Sequence, residues 1–331
     1  MNHCTGDAGY HPDDVLRAAI AVLLMAASAL ACARAPVTTK AEIFEAVAPD
    51  AIVTARSDEI APEVAPAAVD IAAAGPKADV GPMRHIWQTW NNCGPASVVM
   101  ALSNLGIDVT QEVARLALRG PDVSRGMPAQ NVSPWVGEQF GLKAVVRTNG
   151  TRELVRTLVA NGFPVIVTQW LYDAPSRIAH YRVVRGYDDA TGVFVVNDPM
   201  RGASVALPYA WFDTSWQVFL YRYLVIYRPA DETRVRAIVG PDWDDSVMRA
   251  HMYARAQVET AQGGHDAWLA LGEAAYQAGR YEESVAAFEK GLALGTATGV
   301  FTMRSSYPNA LRALGRDAEA DAARAKLGSV R

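Results

Sequence analysis

The sequence predicts an α+β region followed by an all-α region, and three observations carry this prediction. An apolar stripe with helical spacing follows Cys93, and two strand-like runs flank an Asp- and Gly-containing turn between residues 181 and 197. From residue 265 onward, a helical pattern recurs. The chain has 331 residues, enough for two domains of ordinary size. Half of the residues are hydrophobic, which excludes wholesale disorder.

Composition narrows the class of function. A formal net charge of −4 lacks the basic footprint of a nucleic-acid-binding protein, so we expect no nucleic-acid partner. Three cysteines suffice neither for a disulfide-rich scaffold nor for a four-cysteine zinc site. We expect no cofactor and no bound metal.

Residues 1–31 are interpreted as a signal peptide. Arg17 precedes an uncharged run over residues 18–31, which is shorter than the roughly 20 residues of a stable membrane span. The run leads into Ala-Leu-Ala-Cys, ending at Cys32, which resembles the lipobox of bacterial lipoproteins. Cys32 would then be lipidated and would anchor an exported, periplasm-facing protein to a membrane. Cleavage at an Ala-x-Ala site, giving a soluble periplasmic or secreted protein, is the alternative.

Residues 32–82 are predicted to form a semi-extended tether. Alanine, valine and proline dominate this segment, and Phe44 is its only aromatic residue. Such a stretch buries little apolar surface, and its prolines interrupt helix and sheet alike. Aromatic and aliphatic residues become dense at Ile86 and Trp87, so we expect the next domain to begin at residue 83.

Cys93 is the candidate nucleophile. It directly precedes Gly94 and Pro95, at the start of a predicted helix that ends at Gly106. The dipole at a helix N-terminus favours a thiolate and lowers the thiol pKa from about 8.5. A small buried hydrophobe is the alternative role for a free cysteine. The position at a helix start, rather than within the helix, favours the reactive thiol.

His180 is the candidate imidazole partner of that thiol. It begins a predicted hairpin whose strands cover residues 181–187 and 193–197. If Tyr187 pairs with Val193, Asp198 lies opposite Arg182 and diagonal to His180 on the same face. Asn197 points to the other face, which favours Asp198 as the group that orients the imidazole unless a bulge shifts the register.

Gln88 stands five residues before Cys93. Attack of a thiolate on an amide carbonyl creates an oxyanion that needs positioned hydrogen-bond donors. The side-chain amide of Gln88 and the backbone N–H of Cys93 can supply them. An ordinary loop amide is the alternative role for Gln88.

Together these motifs resemble the bacteriocin-processing, double-glycine-leader group of papain-like cysteine peptidases. The resemblance covers residues 84–228 and rests on Gln88-x4-Cys93-Gly-Pro-Ala, His180-Tyr181 and Asn197-Asp198-Pro199 in that order. It implies a papain-like domain over residues 83–229, in which a helix carrying the nucleophile packs on a sheet carrying histidine and aspartate. It further implies Cys93 as nucleophile, His180 as general base and acid, Asp198 as orienting carboxylate and Gln88 in the oxyanion hole. The best-known members are fused to a peptide-exporting transporter, whereas this sequence contains no GxxxxGK[ST] phosphate-binding loop.

The remaining elements of this region are predicted from periodicity. A helix is expected over residues 151–161 with Gly162 as its end, and strands over 164–170 and 221–227. Four tryptophans either line a peptide groove or belong to the core: Trp87, Trp90, Trp135 and Trp170. Tyr181 and Arg182 receive no role.

Residues 230–331 are predicted to be a helical repeat domain. Within residues 265–296, large and small residues fall where a tetratricopeptide repeat places them (Trp268, Leu271, Gly272, Tyr276, Gly279, Tyr281, Phe288 and Leu292). Two antiparallel helices would approach closely at Gly272 and Ala275 and turn at Gly279. A second unit follows around residues 310–320, and residues 246–262 are interpreted as half of a degenerate first repeat. We expect the array to pack on the preceding domain. It would either recruit a protein partner or substrate or serve as a docking domain.

Three functions stay open from the sequence. An exported thiol peptidase or amide hydrolase acting on a peptide or protein substrate is favoured, because all four chemical positions hold competent residues. A non-catalytic anchored interaction protein that retains a papain-like shell is the second. An acyltransferase is the third, since the acyl-enzyme step is common to hydrolysis and acyl transfer.

Overall fold

The structure is a computed structural model that describes residues 69–122, 124–173, 177–295 and 301–328. These residues all lie in one compact unit. The predicted signal peptide, the predicted lipidation site Cys32 and the predicted tether up to residue 68 lie outside the described residues.

An antiparallel sheet of seven strands forms the centre of the described part of the chain. The order is β2-β7-β3-β4-β5-β6, with β1 paired to β4. The strands are β1 (Lys77–Asp79), β2 (Lys143–Arg147), β3 (Val165–Trp170), β4 (Ala179–Asp188), β5 (Val193–Asp198), β6 (Gly202–Pro208) and β7 (Tyr223–Tyr227). Every pairing in this sheet is antiparallel.

Strand β1 corrects the predicted extent of the tether. Residues 77–79 pair with β4, and the Val80 N–H donates to the Arg185 carbonyl at 2.8 Å. The physical reason is that β4 is longer than β3. The pairing with β3 ends at Val184, which leaves backbone groups of residues 186–188 free to pair with another segment. The last residues of the predicted tether complete this edge.

Helices cover both faces of the sheet. Within the mixed region they are α1 (Cys93–Asn104), α2 (Gln111–Leu118), α3 (Val132–Phe140), α4 (Arg152–Ala160) and α5 (Tyr209–Gln217). The predicted helix at Cys93 and the predicted helix before Gly162 are confirmed as α1 and α4. Thr151 caps α4 by accepting a hydrogen bond from Leu154 N–H.

Two hydrophobic cores follow from the alternation of side chains along the strands. Ile166, Val183 and Leu224 face a core that they share with α1, α2 and α3. Val165 and Val184 face the opposite core, which they share with α4 and α5. The sheet therefore forms the middle layer between two layers of helices.

The described residues after β7 form an all-helical region. Its α-helices are α6 (Glu232–Val239), α7 (Asp245–Glu259), α8 (His265–Gln277), α9 (Tyr281–Leu294), α10 (Phe301–Ala313) and α11 (Asp317–Gly328). None of the helices in the described ranges combines the length and apolar character that a membrane span requires.

Helices α8 and α9 form an antiparallel pair around small residues. Ser284 Oγ donates to the Gly272 carbonyl at 2.7 Å, and the His265 ring bonds the Gly291 carbonyl at 2.7 Å. Early residues of α8 thus meet late residues of α9. Gly279 between the helices has φ +72°, a left-handed conformation that suits glycine. The predicted helical region is confirmed, and its tetratricopeptide character stays a prediction.

Candidate active site

Cys93 is the first residue of α1 and is partly exposed. The side chain of His180 and the backbone amides of Tyr181 and Gly94 lower the pKa of its thiol. Gly94 permits the close approach of α1 to Met127, because a Cβ at that position would lie 2.7 Å from Met127 Cβ. The thiol therefore sits where a helix N-terminus meets strand β4.

His180 lies at the start of β4 and connects Cys93 to Asp198. Its Nε2 lies 2.9 Å from Asp198 Oδ1, and both residues are buried. Because Nε2 is occupied by the carboxylate, Nδ1 is the nitrogen left to face Cys93. His180 is thus bonded to Asp198 and at the same time lowers the pKa of the Cys93 thiol.

The predicted register of the β4–β5 hairpin is correct beside the site and wrong near the turn. Close to the turn, Tyr187 pairs with Phe194 instead of the predicted Val193. The register shifts between Val184 and Gly186, so that Val183 pairs with Asn197 as the predicted register requires. A β-bulge therefore compensates for a turn one residue shorter than expected, and it places Asp198 opposite Arg182.

Electrostatics favour a thiolate–imidazolium pair. Burial by itself raises the pKa of the Cys93 thiol, but the hydrogen bond and charge of His180 and the amides of Tyr181 and Gly94 outweigh it. The pKa of Cys93 consequently lies below its ordinary value. Burial by itself lowers the pKa of His180, yet its bonds to Asp198 and Cys93 raise that pKa above the ordinary value. Both shifts widen the pH range in which the two groups are charged.

Asp198 is held as a carboxylate from several sides. Its Oδ1 accepts the backbone N–H groups of Met200 at 2.8 Å and Arg201 at 3.0 Å in addition to His180. Its Oδ2 accepts Arg182 Nε at 3.0 Å. Burial raises the pKa of this carboxyl group, but His180, Arg182 and the Met200 amide together hold it well below its usual range.

Gln88 lies on the segment that runs beside the end of β5. Its backbone N–H donates to the Pro199 carbonyl at 2.9 Å, one residue after Asp198. Its side-chain Oε1 is buried without a hydrogen-bond partner. Gln111 fixes the same segment by accepting from Thr89 N–H at 2.7 Å and donating to the Trp87 carbonyl at 2.9 Å. The main chain around Gln88 is therefore well anchored.

The four tryptophans divide into two pairs. Trp87 and Trp90 are 62% and 81% exposed on the segment that leads to Cys93. Trp135 and Trp170 are buried. Trp170 Nε1 donates to Asp266 Oδ2 at 2.9 Å, so it contacts the helical region instead of lining a groove.

Arg182 is the residue of this site that sequence reasoning missed. It is completely buried and binds Asp198 directly. The signal was present in the hairpin register, which places a cation opposite an aspartate on a strand otherwise rich in apolar residues.

Residues 79–224 match the family model described as Peptidase_C39 like family. The matched segment begins at the end of β1, ends in β7 and contains Cys93, His180 and Asp198. Together with the helix–sheet–helix arrangement, this match assigns the segment a papain-like, mixed α/β C39 peptidase fold. The helical region from α6 to α11 lies outside the matched residues.

The solved structures that are similar to this chain include the following three, which are described as peptidases or proteases. A C39-like peptidase from Bacillus anthracis is 18% identical, with 46% of this chain and 98% of that chain covered and a TM-score of 0.38. A double-glycine-motif protease from an AMS/PCAT transporter, in complex with the leader peptide, is 24% identical, with 46% of this chain and 94% of that chain covered and a TM-score of 0.35. Xylellain, a cysteine protease from Xylella fastidiosa, is 12% identical, with 47% and 87% covered and a TM-score of 0.36. A search of curated proteins found no match.

Proposed function

We propose that this chain is a cysteine peptidase that cleaves an amide bond of a peptide or protein substrate. The observation that carries the proposal is the buried His180, which bonds Asp198 at 2.9 Å and lowers the pKa of the Cys93 thiol. A buried imidazole with a cysteine on one nitrogen and a carboxylate on the other matches the requirements of thiol acyl transfer. The family match of residues 79–224 supports the same reaction class.

Each residue has one role in the proposed reaction. The Cys93 thiolate attacks the substrate carbonyl carbon, and the C–N bond breaks as the His180 imidazolium gives its proton to the departing amine. Neutral His180 then takes a proton from water as the water oxygen attacks the thioester; the C–S bond breaks and releases the acid, which regenerates the Cys93 thiolate and the His180 imidazolium. Asp198 keeps the imidazole oriented throughout and stabilises its charged form.

The oxyanion formed in both steps requires donors that are in place before the reaction. We assign this role to the backbone N–H of Cys93 and the side-chain amide of Gln88. The anchoring of the Trp87–Gln88 main chain by Gln111 and Pro199 supports this assignment, because it limits the freedom of Gln88.

The decisive experiment measures hydrolysis of a diverse peptide library by mass spectrometry. We expect cleavage by the wild-type protein and none by Cys93→Ala or His180→Ala. His251→Ala is the matched control, since His251 also pairs with an aspartate, Asp242 at 2.6 Å, but lies far more exposed, on α7. Cleavage that persists in Cys93→Ala would overturn the proposal.

We further propose that the protein is exported and anchored through Cys32. The lipobox-like sequence before Cys32 supports this proposal. Labelled palmitate should enter the wild-type protein and the Cys93→Ser variant equally, and the label should be lost in Cys32→Ser. Labelling of Cys32→Ser would refute the anchor.

The helical region is proposed to recruit a partner or the substrate. Its repeat-like spacing and the close α8–α9 packing at Gly272 support this role. If so, full-length substrate should be cleaved faster than a short peptide around the same bond. Equal values of kcat/KM for both substrates would argue for a docking role instead.

A further inference from the structure

Arg182 occupies an unusual position for an arginine. It lies on β4 two residues after His180, so strand alternation gives the two side chains the same face. Its side chain has no exposed surface, and arginine is almost never fully buried unless it is paired. A buried guanidinium beside the proposed catalytic residues therefore needs an explanation.

The contacts of Arg182 join two strands. Nε donates to Oδ2 of Asp198, the last residue of β5, at 3.0 Å. Nη1 donates to Gln169 Oε1 at 2.9 Å and to the Trp170 carbonyl at 3.3 Å, both on β3. Gln169 is fixed in turn, since its Nε2 donates to the Phe212 carbonyl at 2.9 Å.

These contacts determine the orientation of the Asp198 carboxylate. With Oδ2 bound to Arg182, Oδ1 is left to face His180 and the amides of Met200 and Arg201. Bonds to one oxygen restrict rotation of a carboxylate about its Cβ–Cγ bond less than bonds to both oxygens do. The guanidinium supplies the bond to the second oxygen, and its other end is attached to β3.

The charges give Arg182 a second role. Cys93, His180 and Asp198 in their reactive forms carry a net charge of −1, and His180 and Asp198 are fully enclosed. Buried charge is costly unless it is compensated. Arg182 brings the net charge of the four groups to zero.

We propose that Arg182 is the positioning residue of this site: it fixes the Asp198 carboxylate toward His180 and neutralises the excess negative charge of the thiolate form. This proposal rests on the proposed function of Cys93, His180 and Asp198. Arginine suits the role better than lysine, because a planar fork can serve Asp198 and β3 simultaneously. The guanidinium carbon lies 5.3 Å from the centre of the Trp211 ring.

The test is the pH profile of Cys93 alkylation by iodoacetamide in the full chain, with the Cys93 peptide quantified by mass spectrometry. Loss of a positive charge destabilises the thiolate and favours the imidazolium. Arg182→Met should therefore move both midpoints of the profile upward by roughly one pH unit. Asp198→Asn removes a negative charge and should move both midpoints downward. Arg182→Met/Asp198→Asn should restore much of the wild-type profile.

The other charged or titratable side chains near the site are the same in all of these variants. They are Arg119, which interacts with Cys93, Arg201, which interacts with Arg182, Arg222 beside Tyr181, and His85, whose Nε2 lies 2.9 Å from the Asp198 carbonyl oxygen. Arg201→Met is the matched control, since it removes the same charge from an exposed side chain. Its midpoints should move much less than those of Arg182→Met.

Hydrolysis assays distinguish the positioning role of Arg182 from the effect of its charge. Arg182→Lys keeps the charge and loses the fork, so its alkylation midpoints should stay near wild type while kcat falls. For Arg182→Met we expect a loss in kcat of about 10²-fold with little change in KM, since the imidazole is misplaced after binding. Wild-type midpoints and kcat in a folded Arg182→Met variant would overturn the proposal. Absence of rapid Cys93 alkylation in the wild type would instead refute the thiolate on which the proposed function depends.

Discussion

At the scale of single residues, the site depends on burial and pairing acting together. Burial opposes the charged forms of Cys93, His180 and Asp198, whereas their mutual hydrogen bonds favour those forms. The pairing prevails in all three, as the directions of the pKa shifts show. The lowered pKa of Cys93 comes from these neighbours, including the Gly94 amide at the start of α1.

Asp198 makes the stability of the folded protein depend on pH in the acid range. Its pKa in the folded protein lies well below the unfolded value of about 3.9, so its stabilising contribution is present above pH 4 and is lost as the pH falls toward the folded pKa. Urea unfolding between pH 7 and pH 3 should therefore show a smaller acid-dependent loss in Asp198→Asn than in the wild type. Asp108→Asn, at a highly exposed carboxylate, should retain the wild-type dependence. Equal slopes for all three proteins would contradict this assignment.

Gln88 offers a prediction about the oxyanion. Gln88→Ala removes one donor and should lower kcat by about 10²–10³-fold, with KM little changed. Cys93 alkylation should keep its wild-type pH profile, because Gln88 carries no charge and its replacement leaves His180 and Asp198 in place. A kcat within twofold of wild type would remove Gln88 from the oxyanion hole.

At the scale of elements, Gly94 determines how closely α1 approaches the Met127 loop. A Cβ at residue 94 would meet Met127 Cβ at 2.7 Å, and this atom cannot move without the backbone. Gly94→Ala should therefore destabilise the fold by about 1–3 kcal/mol and displace Cys93, with loss of activity. Gly137→Ala in α3 is the matched control, since its Cβ would lie 3.6 Å from the nearest atom. The control should be neutral or slightly stabilising in chemical denaturation. Equal stability of the two variants would contradict the steric argument.

The β4–β5 hairpin shows how much of an element the sequence predicts. Both strands and the proximity of His180 to Asp198 follow from alternation and the turn residues. The bulge after Val184 does not, because no local residue pattern demands it. Arg185, at the bulge, binds Asp79 at 3.0 Å and 2.8 Å. Its ion pair is with a strand more than a hundred positions away in sequence, which local periodicity cannot reveal.

At the scale of the whole molecule, one hydrophobic core joins the sheet to the helical region. Val145, Tyr223 and Val225 of the sheet belong to the same buried cluster as Met252 of α7 and Ala270 of α8. We expect a single calorimetric unfolding transition for residues 65–331 within the full chain. Two resolved transitions would show that the helical region unfolds on its own.

Substitution of Asp266 tests whether the helical region stabilises the mixed region. It accepts Trp170 Nε1 at 2.9 Å and Arg177 Nη1 at 2.6 Å from the mixed region. Asp266→Ala leaves the Trp170 donor unsatisfied and should cost about 1–3 kcal/mol, lowering Tm by about 2–4 °C for each kcal/mol. Asp173→Ala is the matched control, because it removes a similar but exposed bond to Trp211. A control that loses as much stability as Asp266→Ala would refute the coupling.

The amino-acid sequence by itself determined the local features of this protein: the helix that begins at Cys93, the hairpin from His180 to Asp198 and the helices from residue 265. These depend on periodicity, capping and turn residues close in the chain. The tertiary structure alone decided the partners that come from distant segments. It placed β1 on the free edge of β4, Trp170 under Asp266, and buried Arg182 between Gln169 and Asp198. Charge and burial at such positions depend on which strands become neighbours, and only the assembled sheet specifies that.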